Sequence, residues 1–77
     1  MGMTAVKSVD PHSPARRAGV RAGETLTHIN GHPIVDVLDY KFYSYDPRLE
    51  LTLQGADGSV RTLRIRKSEG EDLGLEF

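Results

Sequence analysis

Asp10-Pro11-His12-Ser13-Pro14-Ala15-Arg16-Arg17-Ala18-Gly19-Val20-Arg21-Ala22-Gly23-Glu24-Thr25-Leu26, joined shortly after by Ile29-Asn30-Gly31, is the stretch on which the fold turns. Asp10-Pro11 stops whatever precedes it, because proline pushes the residue before it extended and donates nothing to a ladder. Ser13 is a helix cap, Pro14 suits the first helical position, and Gly19 takes the left-handed conformation that ends a helix. The result is a helix of little more than one turn. It cannot persist alone and must dock its alanines on a neighbour. After a loop from Val20 to Glu24, Thr25 to Ile29 reads as a strand. Asn30-Gly31 is the preferred dipeptide of a two-residue hairpin turn.

Outward from this stretch, His32 to Val35 is the returning strand, with Pro33 marking it as short or as an edge. Asp36 caps a second helix over Val37 to Ser44, with Leu38 and Phe42 one turn apart on a single face, and Asp46-Pro47 closes it. Leu49, Leu51 and Leu53 alternate with polar residues, which predicts a half-buried strand. Ala56-Asp57-Gly58 turns the chain into a partner strand, Val60 to Lys67, carrying Leu63 and Ile65. After the charged run Ser68 to Asp72, every second residue from Leu73 to Phe77 is apolar. On the amino-terminal side, Met3 to Val9 reads as a strand. The sum is an α+β sandwich or partial barrel of five or six short strands with two short helices.

The 77 residues carry 10 basic and 11 acidic side chains, a formal net charge of −1, and no cysteine. The charge balance offers no field to nucleic acid or to an anionic membrane. The absence of cysteine removes disulfides, thiolate metal sites and a thiol nucleophile. No apolar run approaches the roughly 18 residues of a spanning helix. The doubled methionine around Gly2 reads as an appended, disordered start over residues 1–4, with the domain at 5–77 and a cytoplasmic location expected.

The residues from Asp10 to Gly31 resemble PDZ domains, particularly those of bacteria. In animal PDZ domains a first strand and a glycine-containing loop precede the Ser-Pro-Ala helix. Here the corresponding loop, Asp72-Leu73-Gly74-Leu75, comes at the far end, so the resemblance implies a circularly permuted arrangement. It further implies that Leu75-Glu76-Phe77 is an edge strand onto which an extended peptide or a protein C-terminus is added. Amides of Leu73, Gly74 and Leu75 would receive a terminal carboxylate, and Leu73, Leu75 and Phe77 would line the pocket for the last side chain. Val37, Tyr40 and Lys41 on the second helix would form the opposite wall. Glu71 and Asp72 beside the loop oppose an incoming carboxylate, and Arg66 or Lys67 is the basic residue expected to offset them. The recognition strand ends after three residues, which reads as a domain cut from a longer protein. A narrower similarity links Val37 to Phe42 and Glu71 to Phe77 to the amino-terminal PDZ-like segment of a bacterial family of radical-SAM-like iron–sulfur proteins.

Other constellations reduce to simpler readings. His28 and His32 flank the hairpin turn without a third ligand, so they read as exposed turn histidines rather than a metal site. His12-Ser13 beside Asp10 suggests no triad, since Ser13 is better used as a cap. Arg61, Arg64, Arg66 and Lys67 read as a solvated strand face. Tyr40 and Tyr45 read as core and Tyr43 as an interface residue, while Gly74 has a second reading as a simple bulge. The expectation is therefore a non-catalytic, cofactor-free module that binds an extended peptide or chain end by strand addition, as an accessory to a larger protein. The alternative is an intramolecular scaffold whose groove is filled by the rest of its own chain. No nucleic-acid or membrane partner is expected. An exposed edge strand also predicts weak self-association.

Overall fold

A computed structural model describes residues 4–77. It contains β1 (Ser8–Val9), α1 (Pro14–Ala18), β2 (Thr25–Ile29), β3 (His32–Pro33), α2 (Val37–Tyr43), β4 (Arg48–Gln54), β5 (Val60–Arg66) and β6 (Leu75–Glu76). Four strands form one antiparallel sheet in the order β3-β2-β4-β5, and β1 pairs with β6 in a second. This is the expected α+β class, with six short strands and two helices. The expected first strand is shorter than its apolar run. Met3 lies outside the described residues, Ala5 makes an isolated bridge to Thr25, and only Ser8 and Val9 form a ladder. Thr4 is buried and its carbonyl accepts from the Leu26 amide at 3.0 Å.

The local chemistry of the deciding stretch is present in full. Ser13 is extended and its hydroxyl accepts from the Arg16 amide at 3.2 Å, and Gly19 closes α1 at φ 97°. Asn30 and Gly31 both take positive φ, 51° and 80°, the geometry of the tight hairpin turn between β2 and β3. Leu49, Leu51 and Leu53 point into the core from β4, and Ile29, Leu26 and Ile65 meet them from the neighbouring strands. Ala15 of α1, Tyr40 of α2 and Leu73 close this core from outside the four-stranded sheet.

Helix α2 departs from its expected orientation. Leu38 and Phe42 are each 74% exposed, whereas Tyr40 is buried. The start of the helix is held by a capping box: the Asp36 carboxylate accepts from the Asp39 amide at 3.1 Å, and Asp39 accepts from the Val35 and Asp36 amides. With the entry so held, the large Tyr40 ring takes the buried position of this two-turn helix, and Tyr43, three residues on, packs partly against the core. Leu38 and Phe42 are left on the outer surface. Tyr45 is also exposed rather than in the core, because its carbonyl serves the Gly70 amide at 2.8 Å and keeps this segment on the surface. Tyr43 is half-buried and stacks on His32 at a centroid distance of 4.4 Å.

The basic strand face is likewise not uniform. Arg61 reaches across to α1's end, donating to both carboxylate oxygens of Glu24 at 2.8 and 2.9 Å and to the Gly19 carbonyl at 2.7 Å. Arg64 is the solvated residue expected, with only a 3.8 Å approach to Glu50. The Arg61 hydrogen bonds hold the Glu24 carboxyl below the usual glutamate range, against an opposing contribution from burial. Because the folded carboxyl is the stronger acid, this stabilisation is present above the ordinary glutamate value and is lost as pH falls through and below it. Arg61 is 40% exposed, so solvent screening limits the pair to about 1 kcal/mol. Glu24→Gln should lower stability at neutral pH by about that amount and flatten the acid limb of the stability profile. Urea denaturation of both proteins across the acidic range measures this; identical profiles would show that the pair contributes nothing.

Candidate functional site

The last five residues are positioned by the segment from Lys7 to Ala15. The Asp10 amide donates to the Gly74 carbonyl at 2.8 Å, the Lys7 amide to the Glu76 carbonyl at 2.7 Å, and the Ala15 amide to the Leu73 carbonyl at 3.1 Å. In an antiparallel ladder, successive residues aim their N–H and C=O groups at opposite neighbours. Since 74 and 76 face β1, the amide groups of Leu75 and Phe77 face the other way. Among the described residues, no strand pairs with the outer edge of β6.

Opposite that edge lies α2, and between them is an open cleft of about 440 Å³. Val37, Tyr40, Lys41 and Ser44, at helical spacings of three and four, form one wall. Leu75, Glu76 and Phe77 form the other, and Gly70, Glu71 and Asp72 close one end. The Tyr40 ring meets Phe77 edge-on at 4.8 Å, which ties the two walls together at their base.

Gly74 is needed where it stands for two reasons. Its φ is 90°, and a Cβ there would run into the Ser13 side chain. Its amide is already engaged, donating to Asp72 Oδ1 at 3.0 Å across a one-residue gap. Among the described residues the buried Tyr40 hydroxyl makes no hydrogen bond of good geometry, and the Asp72 carboxylate and the Leu75 amide lie close to it. Burial pushes its pKa up to about 12 and the Asp72 charge adds to the shift, against an opposing contribution from the Leu75 amide.

Of the residues singled out in the sequence, Val37, Tyr40, Lys41, Leu75, Glu76 and Phe77 meet around this cleft. Leu73 does not line it, because its side chain is fully buried in the core. Gly74 shapes the loop from behind, packed on Ser13. Arg66 sits on the far surface beside Asn30, Arg48 and Ile65. Lys67 points its ammonium at the carbonyls of Tyr45 and Ser68, 3.3 Å from each. Neither basic residue lines the cleft, so neither stands ready to assist a carboxylate there. Ser44 and Gly70 join the lining without any signal in the sequence. Among the described residues, no three His, Asp or Glu side chains gather as a metal-holding group, and no helix is long and apolar enough to cross a membrane.

Comparison with known families decides what scaffold carries this cleft. The family described as PDZ domain matches residues 5–67, which takes in every element from β1 to β5. The chain belongs to the PDZ domain family. Members are peptide-binding or protein-interaction modules and are generally non-catalytic. In this PDZ domain, β6 and the loop before it lie beyond the matched residues. No curated protein matches the chain.

Two substitutions test the geometry. Gly74→Ala should destabilise the PDZ domain by about 2–4 kcal/mol, through positive φ and collision with Ser13. An unchanged urea midpoint would place the Asp72–Leu75 loop elsewhere. Tyr40→Phe removes a buried hydroxyl that makes no hydrogen bond of good geometry, so stability should hold or rise by up to about 1 kcal/mol. Because the folded phenol keeps its proton more tightly than the unfolded one, wild type should also lose stability as pH rises past the ordinary tyrosine value of 10.0, and the variant should lose less. A markedly less stable Tyr40→Phe would mean that the hydroxyl is hydrogen-bonded.

Proposed function

We propose that this PDZ domain is a non-catalytic module that binds an extended polypeptide by β-strand addition along the outer edge of β6. The observation that carries this reading is the open cleft between α2 and β6, toward which ladder alternation turns the Leu75 and Phe77 amide groups. An incoming strand would hydrogen-bond to those groups and lay alternate side chains against Val37, Leu75 and Phe77, while Tyr40 and Lys41 complete the helical wall. Leu73 and Gly74 serve as the frame: one anchors the loop in the core, the other lets it bend against α1.

In this reading the recognition strand follows β5 rather than preceding α1, a circular permutation of the order in animal PDZ domains. Two features support it. Among the described residues β6 has β1 as its one ladder partner, and its loop is seated on the α1 cap. The domain then acts as an accessory that recruits a partner to a larger protein. The same unpaired edge would also support weak pairing between copies at high concentration.

Titrating isotope-labelled protein with short apolar peptides should shift the amide resonances of Leu75 and Phe77 together with those of Val37 and Lys41. The Asn30–Gly31 turn, on the other sheet, should stay still. Unmoved Leu75 and Phe77 signals at near-millimolar peptide would defeat the strand-addition reading.

A further inference from the structure

We propose that the groove of this PDZ domain accepts an internal extended segment bearing a basic side chain, in preference to a chain end with its free carboxylate. The inference rests on the strand-addition reading above and specifies its ligand class.

A free chain end brings a full negative charge that needs unoccupied backbone amides to receive it. At this loop one of the three amides of Leu73, Gly74 and Leu75 is already engaged. Gly74 N–H donates to Asp72 Oδ1 at 3.0 Å, so that amide is held by the domain's own carboxylate and is not free for a ligand's terminus. The bend at Gly74 is therefore filled from within rather than left open.

The surroundings reinforce this. Glu71, Asp72 and Glu76 line the groove against Lys41 alone, three carboxylates to one ammonium. Arg66 and Lys67, the bases nearest in sequence, lie outside the lining. The buried Tyr40 hydroxyl, close enough to Asp72 to feel its charge, adds no cation and stays protonated well above neutral pH. A further negative charge placed here meets three carboxylates and one ammonium, a net repulsive setting.

An internal segment meets none of these obstacles. Its backbone is neutral, and it requires only the outward amide groups of Leu75 and Phe77, which the Asp72 bond leaves untouched. A lysine or arginine on such a segment would meet the acidic end of the groove favourably, within reach of Glu71, Asp72 and Glu76.

Arrays of short peptides with apolar residues at alternate central positions test this. They are made in two matched sets, one ending in a free carboxylate and one in an amide, with Lys, Ala or Glu at the flanking positions. Wild-type domain should bind the amide set at least as well as the acid set and should favour lysine over glutamate, a preference that fades as salt is raised. Asp72→Ala, which frees the Gly74 amide and removes the charge, should raise binding to the acid set by about tenfold relative to the amide set. Asp72→Asn keeps an acceptor for Gly74 and removes only the charge. It serves where the alanine variant loses its fold, and should give a smaller gain in the same direction. A wild-type preference of tenfold or more for the acid set, or for glutamate-flanked peptides, would overturn the ligand class and leave strand addition standing. Failure of both sets to bind, with the Leu75 and Phe77 amide resonances unmoved, would overturn the groove reading itself.

Discussion

Two backbone hydrogen bonds, from the Asp10 amide to Gly74 and from the Ala15 amide to Leu73, hold the end of the chain against the cap of its first helix. The β1–β6 ladder is only two residues per strand, too short to be stable alone. It persists because Leu73 is anchored in the core and Gly74 can approach Ser13 as no other residue could. The orientation of every later amide follows from that contact. If Gly74 faced elsewhere, β6 would not present one edge to β1 and the other to α2.

Much of this architecture is legible in the residues themselves. Ser13, Pro14 and Gly19 spell a capped single-turn helix, Asn30-Gly31 a tight hairpin, and the Leu49–Leu53 alternation a half-buried strand; each signal is local, and each element forms as read. Helix α2 was less transparent. Its apolar pair, Leu38 and Phe42, predicts an inward face, yet the capping box sets the entry so that Tyr40, with Tyr43 beside it, is turned toward the core. The extent of the first strand was also overread, since apolar composition marks a run but not where its partner ends.

The candidate site divides in the same way. Val37, Tyr40, Lys41, Leu75, Glu76 and Phe77 were reached from the sequence, through the resemblance of the Asp10–Gly31 stretch and the loop at Gly74, and they surround one cleft. Arg66 or Lys67 is expected near the loop because the resemblance implies a basic residue there. Strand β5 carries Arg66 to another face, and the turn after it directs Lys67 to main-chain carbonyls. Side-chain direction at the end of a strand depends on register, which no single position declares. The Asp72–Gly74 hydrogen bond, by contrast, is a two-residue contact of a kind aspartate commonly makes. The acidic flank that looked only like a repulsive neighbour is thereby a structural part of the loop.

The central claim is that β6 has one committed edge and one open edge, and amide hydrogen exchange with and without a bound peptide addresses it most directly. The Asp10 and Lys7 amides should be protected in both states, while those of Leu75 and Phe77 should gain protection only when peptide is present. Peptide binding that leaves Leu75 and Phe77 exchange unchanged, or a free domain in which Asp10 and Lys7 exchange as an unfolded chain does, would contradict the account.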